Sequence, residues 1–230
     1  DIPDIATSTQ SIQLQRGVGT STNGAGAFGA TINLQTTNRN DAPYSEVITS
    51  AGSFNTRRFT TGFGSGLIND RFIFDGRVSL IHSDGYIDRA SSDLKSYYFS
   101  GGYYGEKTIV KAIAFGGKET TYQSWWGVPE SRLNNDVAAM QVTAATEGWD
   151  AEQTANLLNS GRTFNIYDYK DQVDDYSQSH FQLHLSNRFS ESITGNISLH
   201  YTPGKGYYEE YKRDQAFSDY GLPDFTIGTE

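Results

Sequence analysis

From Ser45 onward the chain alternates apolar and polar residues one by one over long stretches. Between Phe72 and Ser83, Phe72, Phe74, Val78 and Leu80 fall on one face, with Asp75, Arg77 and Ser79 on the other. After His180, Phe181, Leu183, Leu185 and Phe189 alternate with Gln182, His184, Ser186 and Arg188. In the next segment Ile193, Ile197, Leu199 and Tyr201 alternate with Thr194, Asn196, Ser198, His200 and Thr202. Looser alternation covers 46–52, 57–67, 96–104 and 108–120. A period of two is the signature of a strand with two unlike faces. The pattern predicts about seven strands, several of them ten residues or longer. Strands in soluble domains average about 5–6 residues, whereas a tilted strand crossing a bilayer needs about 9–11.

The connections alternate as well. Asn69-Asp70, Gly105-Glu106 and Ser190-Glu191 read as tight turns. Gly52 to Asn55, Asp84 to Leu94 and a very long stretch from Tyr122 to about Ser179 join the other ends. Short turns on one side and long loops on the other are the plan of an outer-membrane barrel. A loop of that length carries structure of its own. Asp150 is placed to cap a helix over Ala151–Leu158 ended by Gly161, and Val137–Thr146 is a second candidate.

The first 40 residues have a different texture. Two short strand-like pieces, Ile12–Arg16 and Ala30–Gln35, flank a Gly-rich stretch from Gly17 to Gly29. No helix tolerates that much glycine. The stretch reads as a compact loop.

Composition narrows the class. The 230 residues include 24 Gly, 13 Phe, 15 Tyr and no Cys, which excludes a disulfide scaffold, a thiol nucleophile and a Cys-based zinc site. A formal net charge of −9 argues against nucleic acid as a partner. Mean hydropathy is −0.56, and no apolar run reaches the roughly 20 residues of a membrane helix. A barrel stays open, because its strands hide their apolar residues in alternate positions. The start at Asp1 and the run to Glu230 read as a piece of a longer or processed polypeptide.

Motifs of catalysis and cofactor binding find no support. Gly24, Gly26 and Gly29 match the letters of a dinucleotide loop, but a strand-like segment follows where that motif requires a helix. No G-x-S-x-G nucleophile elbow occurs. Of the four His, His184 and His200 fall as candidate cross-strand neighbours, with no carboxylate placed beside them. No catalytic, metal or cofactor residue is therefore assigned. Aromatics gather in three groups: Tyr97 to Tyr104, then Tyr122, Trp125 and Trp126, then Tyr201 to Tyr211. The first reads as an interfacial girdle. For Tyr122, Trp125 and Trp126, inside the longest loop, a girdle and a ligand platform both remain open.

The stretch Ile12-Gln13-Leu14-Gln15-Arg16-Gly17, continued by Asn23 through Leu34, resembles the end of the plug domain of TonB-dependent outer-membrane receptors. That family's pattern is roughly I-E-V-x-R-G-P-x-S-x-L-Y-G-x-G-A-x-G-G-x-I-N-I. Arg16, Gly17, Gly24, Gly26, Gly29 and Asn33 carry the match. Gln13, Val18 and Asn23 depart from the usual Glu, Pro and Tyr. The rest resembles the first third of such a barrel, in siderophore- and haem-type receptors of Bacteroidetes character.

The resemblance implies an all-β fold. Residues 1–40 are the C-terminal piece of a plug. Residues 41–230 supply about seven long antiparallel strands of an incomplete 22-stranded transmembrane barrel, with a partly helical extracellular loop over about 122–179. It implies energised uptake of a ferric siderophore, haem or similar scarce nutrient across a Gram-negative outer membrane. The partners are TonB, acting through a plug region absent from this sequence, and outer-membrane lipid. The other classes carried forward are a soluble or surface β-rich binding or adhesion protein and a barrel enzyme.

Overall fold

A computed structural model describes residues 2–17, 28–36, 40–213 and 215–223. The chain opens with a short 3-10 turn at Ile5–Ser8. Strands β1 (Thr9–Arg16) and β2 (Ala30–Thr36) then pair as a hairpin of their own. Ile12 lies opposite Leu34 and Leu14 opposite Ile32, so this ribbon carries one apolar face. That face is exposed.

The second sheet is a meander. Its strands are β3 (Tyr44–Ala51), β4 (Arg57–Gly64), β5 (Phe72–Ser83), β6 (Ser92–Tyr104), β7 (Thr108–Tyr122), β8 (Val173–Arg188), β9 (Thr194–Tyr201) and β10 (Gly204–Tyr208). Each of β3 to β7 pairs antiparallel with the next in the chain, and β8 receives both β9 and β10. The last two are one strand broken at Thr202-Pro203. Proline has no N–H to give the ladder, although its carbonyl still accepts from the Ser179 N–H at 3.0 Å. The sheet therefore has seven strand positions, as the alternation predicts, and β5 to β8 run 12 to 16 residues.

Turn chemistry explains the hairpins. Asn69 and Asp70 both take positive φ, as do Phe54 and Asn55, the backbone of tight turns whose twist suits antiparallel partners. Two boundaries differ from expectation. β8 starts at Val173, so the long connection covers 123–172 rather than running to Ser179. Its first residues, Val173-Asp174-Asp175-Tyr176-Ser177-Gln178, carry no apolar alternation. They are held by backbone ladders to β7 on one side and β10 on the other. β6 likewise starts early, at Ser92, which shortens the preceding connection to 84–91.

The faces of this sheet are inverted relative to a soluble protein. Phe59, Phe74, Val78, Leu80, Phe181, Leu183, Ile197 and Leu199 share one face and are exposed. The opposite face carries Thr60, Asp75, Arg77, Ser79 and Ser96, all buried. Gly76 on the apolar face leaves room for the rings of Phe63 and Phe99, since a Cβ there would meet Phe63 at 2.6 Å. Among the described residues no helix is long and apolar enough to cross a membrane, a statement that does not touch strands.

A packed apolar core lies in the long connection. Helices α1 (Glu130–Leu133), α2 (Val137–Glu147) and α3 (Ala151–Asn159) enclose Met140, Leu157, Phe164 and Ile166. Val128, Trp149, Leu158 and Tyr167 pack around them. Asp136 accepts from the Ala139 N–H to start α2. Asp150 and Gln153 form the reciprocal capping box of α3. Gly161, expected to end that helix, has φ 71° and opens a 3-10 turn beyond the Ser160 cap.

Candidate functional site

Two places join the N-terminal segment and the long connection to the sheet. The first is on the polar face. Asp4 lies against the wall of β4 and β5. Its Oδ2 is 3.0 Å from Arg58 Nη2 and 3.6 Å from Arg77 Nη1. The Ser79 hydroxyl donates to the same oxygen at 2.5 Å and the Thr60 hydroxyl at 3.4 Å. Arg77 also donates through Nε to Ser8 Oγ at 2.5 Å and through Nη1 to Ser96 Oγ at 3.3 Å. Gly117 provides the space, for a Cβ there would meet Pro3 Cδ at 2.5 Å. Arg58, Arg77 and Ser79 are polar positions of the strand alternation, so the pattern marked them as facing away from the apolar side. Sequence alone carried no signal that Asp4, 54 positions before Arg58, would meet them.

The second place is the long connection itself. The hub is Asn165, nearly fully buried. Its amide donates to the carbonyls of Asp88 and Gln123, both at 2.9 Å. Its own carbonyl accepts from Arg89 Nη2 and from Asn156 Nδ2. Through its side chain Asn165 fastens the 84–91 connection to the residue after β7, and through its backbone carbonyl it holds Arg89 and α3. Arg132, also buried, donates to the Leu158 carbonyl at 2.8 Å and closes the C-terminal end of α3. Arg213, after β10, bonds Asp168 at 2.6 Å and Glu152 at 2.9 Å and lies 3.4 Å from Asp150. These carboxylates, Asp168 first, hold its proton still more firmly than usual.

Beside that cluster is an open cavity of about 220 Å³ walled by Trp126, Trp149, Tyr167 and Tyr211. Trp126 and Trp149 meet edge to face at 5.5 Å, and Tyr211 stacks on Tyr169 at 4.3 Å. Burial, and next Glu210, push the Tyr167 hydroxyl above its ordinary pKa, so it stays a neutral donor across physiological pH. Every cation of the cavity wall is ion-paired: Lys212 with Glu210 at 2.6 Å, Arg213 as above.

The three loop aromatics separate. Trp125 is 60% exposed, with its ring 5.9 Å from Tyr208 and 6.5 Å from Tyr167. Trp126 lines the cavity. Tyr122 instead braces the loop, since its hydroxyl donates to the Tyr169 carbonyl at 2.6 Å. Of the plug-motif residues, Arg16 ends β1 opposite Ala30, and Asn33 in β2 lies opposite Gln13. The Gly17 N–H donates to the Gly29 carbonyl at 2.8 Å and closes the hairpin. Gly24 and Gly26 lie outside the described residues.

Two expectations are corrected. His184 faces Ser198, and His200 faces Gln182, so the two imidazoles are diagonal rather than direct neighbours. The register is one pair off because the turn spans 189–193, with the Phe189 N–H bonded to the Ile193 carbonyl. The first aromatic group is not one girdle. Tyr97, Phe99 and Tyr103 share the apolar face, but Tyr98 is buried on the polar one. Among the described residues, no group of three His, Asp or Glu is placed to hold a metal ion.

No family model and no curated protein matches the chain. Solved structures do. The ferric-catecholate import receptor Fiu of E. coli K12, in its open form, matches with a TM-score of 0.68 at 18% identity over 87% of this chain. The siderophore receptor PiuA of Acinetobacter baumannii matches at 0.66 and 13% identity over 86%. The FpvAI–pyocin S2 complex matches at 0.63 and 18% identity over 83%. This chain covers 29%, 26% and 23% of those chains. It thus shares the fold of under a third of such a receptor. The first two are named as receptors, and neither as an enzyme.

Proposed function

We propose that this chain is the end of the plug and the first seven strands of an outer-membrane receptor that takes up a scarce nutrient by coupling to TonB. Residues 1–40 serve as the plug end, and residues 41–230 as the opening part of a 22-stranded barrel whose remaining strands come from the same polypeptide. The observation that carries this reading is the inverted sheet. Its apolar face is exposed, and its polar face buries the Asp4 segment. A sheet in hydrocarbon satisfies its backbone only by closing. The polar face of the sheet holds polar side chains and Asp4. The fold likeness to Fiu and PiuA supports a ferric siderophore as cargo, with haem the alternative. The mouth binds the cargo between Trp126, Trp149 and the neighbouring tyrosines, and pulling on the plug loosens the Asp4 contacts.

The test is uptake of iron-55 in the native bacterium grown short of iron. Deleting the gene abolishes accumulation from the cognate ferric siderophore, and restoring it recovers transport. Accumulation unchanged for both siderophore and haem, with the protein missing from outer-membrane fractions, overturns the reading. The adhesion alternative predicts that second result. An exposed apolar face across β4, β5, β8 and β9 speaks against it.

A further inference from the structure

The long connection over 123–172 holds seven carboxylates against three cations, a net of −4. Each of the three cations has a partner. Arg132 is buried and donates to the Leu157 and Leu158 carbonyls. Arg162 donates to the Leu133 carbonyl at 3.1 Å, and Lys170 lies 3.9 Å from Asp171. Arg89, from the neighbouring connection, donates to the Asn165 and Tyr167 carbonyls.

The cavity beside Trp126 continues this bias. Its two carboxylates, Asp168 and Glu210, bind its two cations, Arg213 and Lys212. Arg213 is shared further with Glu152 and Asp150, and it lies over the Tyr211 ring at 5.7 Å. One guanidinium thus answers three carboxylates, and an anion entering the cavity meets surplus negative charge. The other polar groups of the wall are neutral. The side-chain oxygens of Gln153 and Gln172 accept from the Asp150 and Tyr169 N–H groups, so their amide N–H groups are the donors left for a ligand. Trp126, Trp149, Tyr167 and Tyr211 supply ring faces, whose negative quadrupole attracts cationic groups and repels anionic ones.

Charge separates the common ferric chelates. A hydroxamate group carries a single negative charge and a catecholate group two, so a ferric trihydroxamate is neutral and a ferric tricatecholate is a trianion. We propose that this cavity receives a ferric chelate without net negative charge, of the trihydroxamate class, and turns away the trianionic tricatecholate. The inference rests on the reading of this chain as part of a ferric-siderophore receptor. At about 220 Å³ the cavity is smaller than the roughly 300–1,000 Å³ of a complete ligand pocket, so one edge of the chelate enters it. Acceptor oxygens of that edge meet the glutamine N–H groups, and its alkyl spacers lie on the rings.

The experiment uses the full receptor polypeptide in dodecyl maltoside and measures retention of iron-55 chelates. The probes are cationic ferrioxamine B, neutral ferrichrome and trianionic ferric enterobactin. At least one trihydroxamate binds about tenfold more tightly than enterobactin or better. Enterobactin capture improves as salt screens the carboxylates, whereas ferrichrome capture stays level. Glu152→Gln with Asp168→Asn releases Arg213 and narrows the gap about tenfold by strengthening enterobactin capture. Gel mobility without heating and protease resistance of 123–172 show that the variant is folded. Glu152→Gln alone, at a side chain 76% exposed, moves affinity in the same direction if the double variant does not fold. Enterobactin bound as tightly as both trihydroxamates, or a preference unchanged in the folded variants, overturns the charge selection and leaves the siderophore reading standing. Capture of none of the three chelates removes both.

Discussion

The cap formed by residues 123–172 and the sheet beneath it are built with opposite polarity. The cap buries Met140, Leu157 and Phe164 and shows water its carboxylates. The sheet buries Arg77, Ser79 and Thr60 and exposes Phe59, Leu183 and Leu199. On the proposed membrane reading, one chain follows two solvent rules. Where the surroundings are water, apolar groups collapse inward. Where the surroundings are hydrocarbon, polar groups turn inward and must find partners there. The join between the two regions is polar and nearly complete, through Asn165, Arg89 and Gln123. The cap is therefore positioned by the sheet but stabilised by itself.

The largest expected effect cuts the two regions apart. Phe164 is fully buried in the cap core, so Phe164→Ala costs the cap about 3–5 kcal/mol. Protease digestion of the folded receptor then clips within 123–172 while the barrel band survives unheated electrophoresis. Loss of both together would show that cap and sheet are one cooperative unit. Next comes Leu183→Arg, placed on the apolar face opposite Leu199. A cation in hydrocarbon near the midplane costs about 2–4 kcal/mol. The folded fraction in lipid vesicles drops, whereas Gln182→Arg on the other face leaves it near wild type. Equal behaviour of the two variants would contradict the assignment of faces.

This contrast also explains what the sequence made legible. Strand number, the tight turn at Asn69-Asp70, and the membership of the apolar face follow from period and turn residues. Those signals are local. The start of β8 was hidden because Val173–Gln178 is held by backbone ladders rather than by apolar packing. The α2 and α3 helices were visible through Asp150 and the apolar spacing, but α1 is only four residues long and depends on Arg132 reaching Leu158. In the candidate site, Trp125 and Trp126 stood out as loop aromatics. Asp4, Asn165 and Arg213 did not, since each acts on partners more than 40 positions away. Tyr122, open in the sequence as girdle or ligand platform, also donates its hydroxyl to the Tyr169 carbonyl, a contact 47 positions away that no local pattern signals.

A smaller effect probes how the cap is tied down. Asp150 accepts from the Gln153 N–H at 2.8 Å to start α3, and it faces Arg213. Asp150→Ala removes the cap bond at a cost of about 1 kcal/mol. The denaturant midpoint of the cap, followed by tryptophan emission from Trp149, shifts down slightly. Asp150→Asn retains the side-chain acceptor and recovers most of the loss. An alanine variant with the wild-type midpoint would mean that Arg213, still bound to Asp168 and Glu152, fixes this corner without the helix cap.

The smallest expected change in stability is the most informative about function. Trp125 is well exposed, with its ring edge-on to Tyr167 and tilted against Tyr208. Removing such a surface ring changes folding by about 0.5 kcal/mol or less. An exposed indole on a braced loop is a costly arrangement for water alone, and aromatic anchors commonly carry binding. Trp125→Ala is therefore expected to leave protease resistance of the cap unchanged while weakening capture of the proposed siderophore cargo about tenfold. Trp126→Ala does both, because Trp126 packs on Trp149 at the edge of the core as well as lining the cavity. If Trp125→Ala binds as wild type and Trp126→Ala does not, the ligand sits within the Trp126–Tyr211 cavity and Trp125 serves only the rim. If neither affects capture, the cap is a lid over a site deeper in the lumen, toward Asp4.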